Sequence, residues 1–312
     1  ILSFLSVPVF ILVLIMSYKY KTGIFGLGIL DYQEGAELRH YLSREKGIFL
    51  SINKIFFKSW VPMISYLFLY LFIKNPLFFG KLNKIMLCIS IVSGALASIF
   101  FLEKAILFIY FLGFLGVYVY SGGKLKKRYF IYLIFIFFAL ISTMYVLTYG
   151  DRVTGLSYLK DIIIHRVATQ SVGSVIAIDY YSNHEFKGLS GISNLLANIV
   201  GERFSSPYSD IIKYYVPETA STSGALSSFV TGEAYGLFGL PGVIFSGVIV
   251  AAWYAFFEST KKSTLLSVIF VGIYALHFSH HYVASSFFSF IWPIGLIYNV
   301  FPFFIILLIS SK

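Results

Sequence analysis

The sequence predicts an all-α membrane protein of about eight spanning helices with one large, partly helical external loop, a span taking roughly 20 apolar residues. Three observations predict it. Hydrophobic residues make up 58% of the 312 and charged residues only 12%, with a mean hydropathy of +0.83. A soluble domain carries about a quarter of its residues charged. The apolar residues fall in runs of spanning length, and the remaining polar residues collect in one long stretch, 151–231.

Taken in order, residues 1–16 open the chain inside an apolar run. With no basic residues before it and no small-residue cleavage pattern after it, this run reads as a span lacking its true start rather than a signal peptide. Residues 59–73 make a short span whose flanking Lys58 and Lys74 snorkel outward. Residues 85–102 and 105–120 are together too long for one span and break at Glu103-Lys104, which predicts a tight helical hairpin. Residues 129–148 carry no charge. Spans at 237–257, 264–282 and 287–310 close the chain. The organisation is therefore 1–150, transmembrane helices with a basic loop at 17–58; 151–231, the large loop; and 232–312, the closing helices. No internal repeat or heptad pattern is present.

The formal net charge of +10 does not point to nucleic acid. Most of the surplus sits beside spans, where the positive-inside rule places it, with anionic lipid headgroups as neighbours. Placing Lys124, Lys126, Lys127 and Arg128 in the cytoplasm also puts Lys261, Lys262 and Lys312 inside and leaves 151–231 outside. By the same parity the basic segment 17–58 falls outside, where Arg39 and Arg44 serve an anionic ligand or a span has been miscounted. Cys88 lies alone in an apolar run, which excludes a disulfide framework and a cysteine metal site.

Within the loop, residues 156–181 are helix-compatible, and Gly188, Gly191, Gly201 and Pro207 mark turns. Arg166 follows His165 on that helix. An arginine fork matches pyrophosphate oxygens, although snorkelling to headgroups or pairing with Asp161 would equally occupy it. Arg203 is a second phosphate contact or is neutralised by its neighbour Glu202. Thr231-Gly232-Glu233-Ala234-Tyr235-Gly236-Leu237-Phe238-Gly239 is the most informative stretch. Glu233 stands at the start of a span, where an ionisable residue deprotonates or positions a hydroxyl, or simply meets the helix dipole. His277, His280 and His281 cluster near a span end with no carboxylate or thiol nearby, which argues against a metal. One of them, His281, is a candidate acid/base or phosphate contact. Phosphate-binding glycine loops, dinucleotide fingerprints and metalloprotease motifs are missing from the sequence, so no nucleotide cofactor is implied.

In the helix bearing His165 and Arg166, and in the Thr-Gly-Glu-Ala-Tyr-Gly-Leu-Phe-Gly stretch at membrane re-entry, the chain resembles the Wzy-type O-antigen and capsule repeat-unit polymerases. The arginine-to-glycine spacing carried by some members does not occur at Arg152, Arg166 or Arg203. The resemblance implies a multi-pass protein of the bacterial inner membrane whose large loop lies in the periplasm. It implies a metal-independent, cofactor-free glycosyl transfer that polymerises undecaprenyl-pyrophosphate-linked oligosaccharide units, with lipid-linked glycans as donor and acceptor and a chain-length regulator as a further partner. Arg166, Glu233 and His281 would be catalytic, and His165, Arg203, Tyr235, Arg39 and Arg44 would bind substrate. An O-antigen ligase shares the architecture. A transporter or lipid flippase is the rival of another class, kept open by Pro241 and Pro293 as span breakers. An intramembrane protease lacks an evident serine–histidine pair.

Overall fold

The computed structural model describes residues 2–26, 55–101, 104–123, 172–215 and 230–280, with Leu38, Phe135, Ala139 and Pro217 singly. All regular structure among the described residues is helical. The protein is thus an all-α, membrane-associated chain. Among the described residues three helices are long and apolar enough to cross a bilayer: Phe56–Lys74, Lys81–Ser98 and Val230–Thr260. The predicted span at 287–310 lies outside the described residues, as does that at 129–148 apart from Phe135 and Ala139.

The first compact unit holds α1 (Leu2–Lys19), α2 (Val61–Lys74), α3 (Lys81–Ser98), α4 (Lys104–Tyr120) and α9 (Thr264–His280, as far as Ser279). A π-helical turn, Phe56–Trp60, runs straight into α2 and lengthens it beyond the short span expected. That turn also corrects the expectation for Lys58. Its ammonium does not snorkel outward but lies 4.9 Å from the centre of the Phe101 ring, a cation–π placement. Phe57 stacks on Phe100 at 3.9 Å in a core with Val13, Val61 and Ala97. The predicted hairpin is present as α3 and α4, although α3 starts early enough to take Lys81 and Lys84 into its first turn.

Buried hydroxyls hold this unit together. Tyr110 donates to the Ile91 carbonyl at 2.9 Å, and Tyr66 donates to the Tyr110 carbonyl at 2.8 Å. Their phenol ends rest on Gly94 and Gly113, where no side chain obstructs. Small residues and interhelical hydrogen bonds are how helices associate where lipid gives no hydrophobic drive. Tyr70 donates to Ser267, which anchors α9 to α2, and Tyr120 bonds to Thr260 just ahead of α9.

The second unit holds α5 (172–182), α6 (Asn194–Ile199), α7 (Pro207–Tyr215) and α8 (Val230–Thr260, as far as Ser259). Pro207 begins α7 instead of marking a turn: its fixed φ suits the first helical position, where an amide hydrogen would be unsatisfied anyway. Gly188 and Gly201 do take positive φ at turns.

Candidate functional site in the folded loop and the broken helix

Helix α8 is two arms, not one rod. Gly239 sits at φ 65°, ψ −150°, a conformation essentially confined to glycine, and Pro241 follows it. The arms, 230–238 and 240–260, then fold side by side: a β-carbon on Gly242 would collide with the Ala234 carbonyl, eight residues back. In a straight helix those residues would be about 12 Å apart. The span expected at 237–257 therefore begins after the break.

The glycines of the Thr-Gly-Glu-Ala-Tyr-Gly stretch have a packing explanation. A β-carbon on Gly232 would lie 2.9 Å from Ser174, one on Gly236 2.8 Å from Tyr181, and one on Gly239 2.8 Å from Phe186. The spacing i, i+4 puts Gly232 and Gly236 on one face of the first arm against α5, and Gly239 at the arm's end packs on the turn after α5. Two further ties fix this junction. The Lys187 backbone amide donates to the Gly236 carbonyl at 3.1 Å, and Tyr181 donates to the Pro207 carbonyl at 3.0 Å.

Glu233 and Tyr235 are two residues apart, roughly 200° around a helix at 3.6 residues per turn. They consequently serve different places. Tyr235 joins Tyr181, Ser182, Asn183, His184, Glu185 and Phe186 in lining an open groove of about 530 Å³. Its hydroxyl lies 3.3 Å from that of Ser182 and its ring meets Phe186 edge-on. Glu233 is only 6% exposed and turns inward. Its charge acts on Tyr208, whose hydroxyl is buried with no hydrogen-bond partner among the described residues. Burial, then the Glu233 carboxylate, pushes the Tyr208 phenol well above its ordinary range.

Around the groove the rings are ordered. His184 stacks flat on Tyr180 at 4.0 Å, and Tyr214 packs edge-on to both. Tyr215 donates to the Asp179 carboxylate at 2.5 Å, and this hydrogen bond pushes its phenol up to about 12. Beneath the rings, Lys187 pairs with Asp210, which also accepts from Ser205 at 2.5 Å. Burial alone would raise the Asp210 carboxyl, but the hydrogen bonds from Lys187 and Ser205 outweigh it and hold the group below its usual range.

Arg203 is exposed and makes no ion pair with a described residue. Arg39, Arg44, His165, Arg166 and His281 lie outside the described residues, as do the side chains of His277 and His280. Among the described residues no cluster of His, Cys, Asp or Glu is arranged to hold a metal ion. Sequence reasoning named Tyr235 but missed Lys187, Asp210, Tyr208 and the groove aromatics Tyr181 and Phe186. The tyrosine pairs Tyr180-Tyr181 and Tyr214-Tyr215 were the available signal. No protein-family model, curated protein or solved structure matches the chain.

Proposed function

We propose that the protein polymerises undecaprenyl-pyrophosphate-linked oligosaccharide repeat units into O-antigen or capsular polysaccharide at the periplasmic face of the bacterial inner membrane. The observation that carries this reading is the folded, tyrosine-rich unit seated on the first arm of α8. One face of that arm opens a groove, and its other face buries a carboxylate beside an orphaned phenol. Aromatic faces flanked by hydroxyl, amide, imidazole and carboxylate groups suit a sugar, which offers apolar C–H faces and many hydroxyls at once.

In this proposal the donor glycan is held through its pyrophosphate by Arg166, assisted by His165 and Arg203, with Arg39 and Arg44 on the acceptor's phosphates. An acceptor hydroxyl attacks the donor's anomeric carbon. The bond from that carbon to the pyrophosphate oxygen breaks, and undecaprenyl pyrophosphate leaves with the electron pair. The proton of the attacking hydroxyl passes to Glu233 or His281, and the arginine charge offsets that of the leaving group. A substrate hydroxyl reaching the buried face of the first arm would give Tyr208 a partner that no described residue supplies. Tyr235 orients the sugar in the groove.

The decisive experiment is the surface-polysaccharide ladder of a deletion strain complemented with wild type, Arg166→Ala or Glu233→Ala at matched expression. Collapse to single units, rescued by wild type alone, supports polymerisation. Long polymer stranded on undecaprenyl pyrophosphate would instead identify a ligase. A second reading, a transporter or flippase, is favoured by the break at Gly239, since discontinuous helices commonly frame transport sites. An unchanged ladder would select it.

A further inference from the structure

We infer that residues 189–200 of the loop insert into the lipid interface beside the second arm of α8, with the outer face of α6 turned into the bilayer. Helix α6 is capped by Ser193, whose hydroxyl accepts from the Leu196 amide. Its inner face buries Ala197 and tucks in Leu196. Leu195 and Ile199, one turn apart, stand outward at 55% and 70% exposed, and Val200 and the preceding Leu189 are exposed beside them. Asn194 and Asn198 are exposed on one flank of the helix, and the positions beside them carry branched aliphatics that a helix wholly in water would not present.

The cover follows from what α6 is fixed to. Ile192 shares a buried cluster with Ala234 and Leu237, and Leu196, Phe238 and Ile249 pack around it. Ile249 belongs to the second arm, which at 21 residues is long enough to cross about 30 Å of hydrocarbon, so α6 is packed against an element of spanning length. The same arm exposes Leu240, Ile244 and Val248, side chains for which acyl chains are the natural cover. The outer face of α6 continues that surface. Glu202 and Arg203, both exposed, follow at once and mark the return to water. An amphipathic segment of this kind rests at the headgroup–acyl boundary.

Collision accessibility tests the inference in the full chain reconstituted in nanodiscs. With Cys88→Ser as background, spin labels go on Leu195→Cys, Ile199→Cys and Val200→Cys, with Val248→Cys as the lipid reference and Asn183→Cys as the aqueous one. Relaxation is then read with oxygen, which partitions into lipid, and with a nickel chelate, which stays in water. The expected result is an oxygen-to-nickel ratio at 195, 199 and 200 matching position 248 and well above position 183. A ratio matching position 183 overturns the inference. So does exclusion of both reagents, which would mean that protein covers the face. Three neighbouring positions guard against one label disturbing the fold.

Discussion

Lys187 donates its backbone amide to the Gly236 carbonyl while its side-chain ammonium pairs with Asp210. One residue therefore ties the turn after α5 both to the first arm of α8 and to α7. Its own carbonyl accepts from Ser190, so the tie continues into the next turn. The groove lies directly against this knot, because Phe186 and Tyr235 flank it in sequence. Shape at the groove depends on a salt bridge that no substrate need touch.

Replacing Lys187 by Met keeps the aliphatic stem and removes the charge. Asp210 is then left partly buried without its principal partner, a loss of about 1–3 kcal/mol. We expect the second unit to melt earlier and the amides of residues 207–215 to exchange faster, while the amides of α3 and α4 keep their protection. Hydrogen exchange read by mass spectrometry separates the two regions. Uniform loosening of both would contradict this role for Lys187.

The same pair sets an acid limit. Asp210 is held below its ordinary range in the folded protein, so the unfolded chain binds this proton at the higher pH. Its contribution is complete above the unfolded value of about 3.9 and is lost as pH falls through the lower folded value. The melting-temperature gap between wild type and Asp210→Asn should thus be constant from neutral pH down to about 5 and close progressively below about 4. A gap that widened with acid would refute the sign.

Two glycines of α8 should respond oppositely to alanine. At Gly236 the added carbon meets Tyr181 at 2.8 Å and the Pro207 Cβ at 2.9 Å, neither of them a flexible chain end. Overpacking of this kind costs about 1–3 kcal/mol. At Gly247 nothing lies within 4 Å, and alanine gains about 0.5–1 kcal/mol of helix propensity. Thermal unfolding in nanodiscs should rank Gly247→Ala at or above wild type and Gly236→Ala below it.

How much of this was legible depends on which physical rule each residue obeys. The hairpin of α3 and α4 was readable because Glu103-Lys104 interrupts an apolar stretch too long for one span. The lengthening of α2 was not, since a π-helical turn at Phe56–Trp60 leaves no periodic mark in the sequence. In the Thr-Gly-Glu-Ala-Tyr-Gly stretch, which the sequence singles out for its chemistry, the glycines serve close packing. Adjacency in sequence also grouped Glu233 with Tyr235, which helical geometry places on opposite faces. Lys187 and Asp210 were invisible because their pairing joins segments that only tertiary structure brings together.

The break in α8 is the feature most open to a direct distance measurement. Gly239 combines a positive φ with Phe186 packed 2.8 Å from where a β-carbon would lie, so alanine there meets both backbone strain and a ring. Such strain costs about 1–3 kcal/mol, which a straightened helix would relieve. Spin labels on Thr231→Cys and Val248→Cys, in a Cys88→Ser background, should report a short separation in the parent, because the arms lie side by side. Gly239→Ala should add a second population near the length of a continuous helix, roughly 26 Å between those backbones. Pro241→Ala alone should leave the short distance dominant, since the reversal resides in the Gly239 backbone. If the parent already showed only the long distance, α8 would be one rod, and both the transporter reading and the placement of α6 beside its second arm would lose their basis.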